Sequence, residues 1–154
     1  MIYLVRITIL FYIFKFLKAI ILSQSLLKDK YGFSNESIVI DLSECKISSI
    51  EIDTFEGYNR LEFLYLHNNK LSKIEKNVFS KLVNLRELWL ESNVIVLIDF
   101  NPFAGLNKLK LVCLNDNPVS TLFPIQTTSI CDIPLQCLAI INKKCNRYET
   151  SNLI

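Results

Sequence analysis

Apolar residues recur through the middle of the chain in columns whose members lie 24 positions apart. Six apolar columns keep this interval: Ile40, Leu64, Leu88 and Val112; Leu42, Leu66, Leu90 and Leu114; Ile47, Leu71, Ile95 and Val119; Ile50, Ile74, Ile98 and Leu122; Phe55, Phe79 and Phe103; Tyr58, Leu82 and Leu106. General hydrophobicity does not hold so many positions in register. The pattern predicts a solenoid, in which each coil covers the apolar face of the next.

Each coil is predicted to contain a strand. The second and third leucine-type positions of a repeat are separated by one variable residue, and this alternation is typical of a strand with one buried face. Each coil returns the chain to the same edge, so successive strands are expected to be parallel. A seventh column follows the strands: Cys45, Asn69, Asn93 and Asn117. We expect its amides to satisfy backbone groups left unpaired where the chain turns inward.

The two best copies of the repeat run from Leu61 to Leu82 and from Leu85 to Leu106. They follow the pattern L-x-x-L-x-L-x-x-N-x-L-x-x-I/L-x-x-x-x-F-x-x-L, which resembles the extracellular type of leucine-rich repeat. The resemblance covers about residues 37 to 123 and implies an α/β-type solenoid: a horseshoe segment with a concave parallel sheet and an irregular or short helical convex side. It also implies a non-enzymatic module that binds proteins or glycans through the sheet.

The repeat columns predict the domain organisation. We expect a signal peptide or membrane anchor at 1–25, a short N-terminal cap at 26–36, four repeats at 37–60, 61–84, 85–108 and 109–123 (the last partial), and a cysteine-containing C-terminal cap at 124–154. Asn117-Pro118 is similar to the Asn-Pro that opens the family's C-terminal cap, but the family's Cys-x-Cys pair is missing. Four coils barely exceed the minimum for a stable stack, and their exposed apolar ends leave a homodimer open as one arrangement.

The N-terminal segment, residues 1–22, is almost entirely apolar and is followed by polar residues at 23–25. This shape predicts a secretory signal peptide that is cleaved after Ser25, and hence a secreted protein. Lys15 and Lys18 interrupt the apolar run, which departs from a standard signal and also disfavours a membrane span. The alternatives are an uncleaved membrane anchor over residues 1–22 and a helix in the membrane interface.

Cysteine usage and charge narrow the function classes. The net charge is +2 without a basic stripe, which argues against nucleic-acid binding. Five cysteines favour an oxidising compartment, and the disulfide candidates are Cys131, Cys137, Cys145 and Cys113. The simplest bridge lies among the first three, whereas Cys113 is expected to point outward from a strand as a concave thiol. The cysteine spacing does not fit a zinc site, so no metal or cofactor is predicted. The sequon at Asn35 is a glycosylation candidate.

The variable strand positions are predicted to form the binding surface. The ligand-binding candidates on the concave face are Asp41, Phe63, Tyr65, His67, Glu87, Trp89, Glu91 and Asp116. Their composition, an aromatic centre with an acidic rim and no Lys or Arg, is typical of an interaction hot spot for a protein partner with a basic or mixed surface. The alternative is that the aromatics only cover the sheet. With a single His, no catalytic constellation is visible; a membrane-tethered structural or assembly protein with the repeats as a spacer is the runner-up function.

Overall fold

The computed structural model describes residues 19–99 and 102–119, and the structural statements below refer to them. The elements, in chain order, are β1 (Ile20–Leu22), α1 (Gln24–Asp29), β2 (Val39–Asp41), β3 (Ile47–Ile50), β4 (Phe63–Tyr65), β5 (Lys73–Ile74), β6 (Glu87–Trp89), β7 (Leu97–Ile98) and β8 (Leu111–Cys113). Residues 1–18 of the predicted signal segment, and Cys131, Cys137 and Cys145, lie outside the described residues.

The strands stack in parallel as the repeat pattern predicts. Strands β2, β4, β6 and β8 form one four-stranded parallel sheet in that order. Each residue pairs with the one 24 positions further along the chain, as in the series Ile40, Leu64, Leu88 and Val112. These four side chains are buried, and the residues on either side of them point away from the core. The predicted solenoid of about four turns, with parallel strands and little helix, is therefore confirmed.

An asparagine ladder joins the coils inside the turn that follows each strand. The Asn93 Oδ1 accepts a hydrogen bond from the Leu71 amide at 3.0 Å, and its Nδ2 donates to the Leu66 and Leu90 carbonyls at 2.9 and 3.0 Å. Asn69 and Asn117 repeat these contacts one coil before and one coil after. All three side chains are at most 7% exposed. The predicted role of the amides is confirmed.

Cys45 occupies the ladder register in the first coil but differs from the asparagines. Its thiol is free and half-buried, and it hydrogen-bonds to the Tyr31 hydroxyl. The coil before it has no inward turn that an amide could stabilise. Asn69 accepts a hydrogen bond from the Ile47 amide, and the residue 24 positions before Ile47 is Ser23, which caps helix α1. A residue of modest hydrogen-bonding capacity is therefore tolerated there.

Stacked phenylalanines fill the far side of the coils. The ring centroids of Phe55 and Phe79 are 6.0 Å apart, and those of Phe79 and Phe103 are 6.3 Å apart with the rings nearly parallel at 10°. All three rings are buried. Strands β5 and β7 pair beside this stack through Lys73–Leu97 and Ile74–Ile98. The far side thus has its own row of core and only two short two-stranded sheets, β1–β3 and β5–β7, which leaves it irregular.

The N-terminal cap begins earlier than the sequence pattern predicts. Strand β1 pairs in parallel with β3, Leu22 is fully buried, and the Thr54 hydroxyl donates to the Leu22 carbonyl at 2.9 Å. The Ser23 side chain accepts from the Leu26 amide and caps α1. Cleavage after Ser25 stays a prediction, but it would remove β1 and this cap. Within the described residues, no helix has the length and apolar character to cross a membrane.

Candidate functional site: the concave face of the sheet

The concave face is defined here as the outward side of β2, β4, β6 and β8 together with the turn after each strand. Its outward positions form four rows, each with one residue from every coil. The rows are Val39, Phe63, Glu87 and Leu111; Asp41, Tyr65, Trp89 and Cys113; Ser43, His67, Glu91 and Asn115; and Glu44, Asn68, Ser92 and Asp116. Because the strands pair in register, members of one row are lateral neighbours.

The aromatic side chains come together at the centre of the concave face, as predicted. The ring centroids of Tyr65 and Trp89 are 6.1 Å apart, and the His67 ring meets Tyr65 edge-on at 6.3 Å. The Trp89 indole Nε1 donates to Glu87 Oε2 at 3.0 Å. Phe63 lies in the adjacent row and is half-buried. A Tyr–Trp–His group with one carboxylate anchored to it therefore occupies the middle two strands.

The exposure of this cluster differs from the sequence expectation. Trp89 was expected to be exposed, but its side chain is only 2% exposed, and His67 is 5% exposed. Phe63 and Tyr65 stay partly accessible, and Val39 is 48% exposed. The ring contacts with Tyr65 and the hydrogen bond to Glu87 explain part of the burial of the indole. The accessible apolar surface is therefore shifted towards the first two strands.

Acidic residues surround this cluster on the outward positions of the sheet. Asp41 is exposed, and its Oδ1 accepts from the Ser43 amide at 2.9 Å and from the Ser43 hydroxyl at 2.7 Å. Glu44 and Asp116 are exposed, and Glu91 is half-buried. None of the sixteen outward positions listed above is Lys or Arg. The outward positions of the described coils therefore carry acidic side chains and no basic ones.

The basic side chains of the repeats are held at the flanks and on the far side. Arg60 pairs with Glu36, Arg86 Nε lies 3.1 Å from Glu62 Oε2, and Lys108 Nζ donates to Asn84 Oδ1 at 2.6 Å. On the far side, Lys73 Nζ lies 3.0 Å from Asp99 Oδ2, and this hydrogen-bonded pair lowers the pKa of Asp99. The separation of charge between the faces follows from the sequence position of each lysine and arginine.

One row of the face has an unusual backbone that the sequence analysis missed. Glu44, Asn68, Ser92 and Asp116 all have positive φ, between 52° and 58°. This left-handed conformation turns the chain so that the next residue, a ladder Asn in three coils, points into the core. Asn and Asp tolerate it better than Glu or Ser do. The Asn68 and Asp116 side chains were the only sequence signal of this turn.

Cys113 is neither a free nor an accessible thiol. It is fully buried on β8 and disulfide-bonded, and its partner lies outside the described residues. Cys113 keeps the predicted outward position on its strand and is one of the four disulfide candidates, but it is not the free concave thiol that the sequence suggested. The remaining free cysteine of the described residues, Cys45, lies on the other side of the sheet. In residues 19–99 and 102–119, no three His, Cys, Asp or Glu side chains are grouped so as to hold a metal ion.

Comparisons with known proteins agree with the geometry. A family model described as "Leucine rich repeat" matches residues 39–95, the part of the chain that contains β2 to β6. No curated protein matches the sequence. A chain in a solved structure of "the Toll - Spatzle complex, a molecular hub in Drosophila development and innate immunity" is similar, with 27% sequence identity and a TM-score of 0.57. The match covers 68% of this chain and 13% of that much longer chain.

Proposed function

The chain is a leucine-rich-repeat protein, and from this premise we propose that it is a non-enzymatic module that binds a protein partner through the concave face. The observation that carries the proposal is the grouping of aromatic and acidic side chains on one face of an in-register parallel sheet. Large rings at the centre of a surface with a polar rim are the usual composition of a binding hot spot. The similar chain belongs to a complex between two proteins, which supports a protein partner.

The accessible half of the face defines the contact we propose. Val39, Phe63 and Tyr65 offer apolar and ring surface, and the acidic residues Asp41 and Glu44 lie in the same coils on the outward side. A partner that matches this surface presents an apolar or aromatic side chain flanked by Lys or Arg. The acids speed the encounter with such a partner, and the rings provide most of the affinity. The His67 ring contacts Tyr65 edge-on, and Trp89 packs beside Tyr65 on the neighbouring strand.

The proposed compartment is extracellular. The apolar run before residue 23 supports entry into the secretory pathway, and a disulfide at Cys113 requires an oxidising environment. Asn35 of the sequon is exposed, and its side chain lies close to Gly57. We propose that it carries a glycan.

The test uses the secreted protein as a probe on an array of purified cell-surface and secreted ectodomains. Every ectodomain that binds is then measured by surface plasmon resonance with Phe63→Ala/Tyr65→Ala. The expected loss is at least about 2 kcal/mol in binding free energy, roughly thirtyfold in Kd. Val83→Ala/Val96→Ala removes exposed apolar surface on the far side and is the matched control. Equal affinity of both double variants would remove the concave face from consideration.

The second candidate is a membrane-tethered spacer or assembly unit. The observation that favours it is the direct continuation of the apolar segment into β1, which is part of the folded solenoid. In that case residues 1–22 stay on the chain and hold the repeats at a membrane surface. Carbonate and high-salt washes separate the two candidates: the tethered chain stays with membranes, and the binding module is recovered from the medium.

A further inference from the structure

The far side of the solenoid is held together unevenly from coil to coil. Between the second and third coils, the Val96 amide donates to the Ser72 carbonyl at 3.0 Å. The Asp99 amide donates to the Ile74 carbonyl at 2.9 Å. The amides 24 positions earlier, those of Ser72 and Glu75, make no equivalent bond to the first coil, and no strand pairing joins β3 to β5 within residues 19–99. The far-side ladder is therefore interrupted between the first and second coils.

A cleft of about 210 Å³ lies at this interruption. The buried residues Ile50, Ile74 and Val78 line it together with exposed polar residues such as Ser49 and Ser72. Closely packed side chains leave few voids larger than a water molecule. The first two coils therefore contact each other less completely on the far side than a packed junction does.

An ion pair adds to the difference between the two junctions. Lys73 Nζ lies 3.0 Å from Asp99 Oδ2, and this pair joins the second coil to the third. The residue 24 positions before Lys73 is the uncharged Ser49, so the first coil offers no cation to Glu75, the residue 24 positions before Asp99. The first junction thus lacks both the backbone bonds and the ion pair that hold the second.

The concave side of the same junction is continuous. Strands β2 and β4 pair in register, with Val39 opposite Phe63. Asn69 accepts from the Ile47 amide at 2.9 Å and donates to the Leu42 carbonyl at 2.8 Å. The first and second coils are therefore joined along the sheet and the ladder, and are separable only on the far side.

The N-terminal cap is firmly attached to the first coil. The Glu51 amide and the Thr54 hydroxyl both donate to the Leu22 carbonyl at 2.9 Å. The Ser48 hydroxyl donates to the Ile20 carbonyl at 3.3 Å, and β1 pairs with β3. The cap and the first coil therefore form one unit, and the weakly held boundary lies after this unit.

We propose that this boundary is a hinge, at which the cap and the first coil tilt about the β2–β4 strand pair. The far-side cleft widens and narrows with the tilt. In a stack of repeats each coil contacts only its neighbours, so the stack bends where the contact between two coils is weakest. The tilt also changes the angle between the outward residues of β2 and β4, which include Val39 and Phe63. The accessible part of the concave face thereby gains an adjustable curvature.

Amide exchange of the isotope-labelled full chain, followed by NMR, tests the interruption. Relative to their intrinsic rates, the Ser72 and Glu75 amides should exchange at least about tenfold faster than the Val96 and Asp99 amides, because only the latter pair has carbonyl acceptors. The Lys70 amide donates across the same junction at 2.8 Å and should be protected like Val96. Equal protection at all five positions would overturn the hinge.

Methyl relaxation dispersion tests the motion itself on the microsecond-to-millisecond timescale. The methyl groups of Ile74 and Val78 beneath the cleft and of Val39 on the concave face should share one exchange rate constant. Ile95, buried in the third coil, should show no exchange. Exchange at Ile74 and Val78 without exchange at Val39 would mean that only the cleft opens, and would overturn the tilt.

A variant that copies the ion pair of the second junction into the first should hold the hinge closed. In Ser49→Lys/Glu75→Asp, the new pair has the residue types and the 24-residue interval of Lys73 and Asp99. Exchange of the Ser72 amide and dispersion at Val39 should both fall several-fold. The neutral control Ser49→Gln/Glu75→Asn should leave both unchanged.

Equal dispersion at Val39 in the ion-pair variant and in its neutral control would overturn the link between the far-side cleft and the concave face. All of these measurements use the protein without a partner. Their outcome is therefore independent of the proposed binding function.

Discussion

The two halves of the concave sheet share a backbone and differ in surface. Strands β2 and β4 present exposed or half-buried outward residues, whereas on β6 and β8 Trp89 and Cys113 are buried. The strand register, the inward leucine-type residues and the asparagine ladder are the same in both halves. The comparison shows that the repeat positions determine the backbone, and that the identity of the outward residues decides which part of the face is accessible.

The largest expected effect is on the free energy of unfolding, which should respond differently to a substitution in each half. Trp89→Ala should cost about 3–5 kcal/mol of unfolding free energy, because a large ring is removed from a buried site. Tyr65→Ala, one strand earlier in the same row, should cost about 1 kcal/mol, since its ring is partly in water. Urea unfolding followed by circular dichroism measures both. Equal costs would mean that the halves do not differ in packing.

The second prediction concerns the frame that the halves share. Asn69→Ala and Asn93→Ala should each cost about 2–3 kcal/mol, because each leaves buried backbone groups of two coils unpaired. Asn59→Ala is the matched control, because its side chain is exposed, and it should cost less than about 0.5 kcal/mol. A ladder cost confined to one of the two halves would contradict a common frame.

The third prediction tests the N-terminal end of the solenoid, where Tyr31 packs against the core. Burial, with the hydrogen bond to Cys45, raises the pKa of Tyr31 to about 12 from its ordinary value of 10.0. An unfolded tyrosine ionises first, so its contribution to stability is complete below pH 10 and is lost as the pH rises towards 12. Denaturant midpoints measured from pH 8 to 11.5 should therefore fall less steeply in Tyr31→Phe. An identical slope in both proteins would exclude Tyr31 as a source of alkaline sensitivity.

The smallest expected effect lies in the left-handed row. Glu44, which follows β2, and Ser92, which follows β6, have a positive φ like Asn68 and Asp116. Glu44→Asn and Ser92→Asn should each stabilise the fold by less than about 1 kcal/mol, because Asn adopts this conformation more readily. Glu51→Asn, at an exposed position with negative φ, should not stabilise. Thermal midpoints are sufficient for the comparison.

Features that repeat in every coil could be predicted from the sequence. The inward positions, the parallel strands, the asparagine ladder and the Phe stack each follow from residue type and interval, and neighbouring copies support one another. The aromatic cluster could also be located, because Tyr65 and Trp89 occupy the same row of paired strands.

Features that depend on contacts outside the repeat could not be predicted. Ser23 and Ser25 fit the cleavage site of the predicted signal peptide, whereas in the structure Ser23 caps a helix. Both roles favour small polar residues, so the sequence does not distinguish them. The burial of Trp89 depends on contacts such as those with Tyr65 and Glu87, and the disulfide partner of Cys113 lies outside the described residues, so no periodic signal encodes either feature. The row with positive φ could not be predicted, because only Asn68 and Asp116 among its four residues are of types that favour this conformation.

The difference between the two halves is tested most directly by hydroxyl-radical footprinting of the unreduced protein, with oxidation quantified at single residues by mass spectrometry. Phenol and indole rings both react readily with the radical, so their relative rates report accessibility. We expect Tyr65 to be oxidised several-fold faster than Trp89, and Trp89 to become the faster of the two when the protein is denatured. Oxidation of Trp89 in the native, disulfide-bonded protein at a rate equal to or above that of Tyr65 would contradict the difference in accessibility between the two halves.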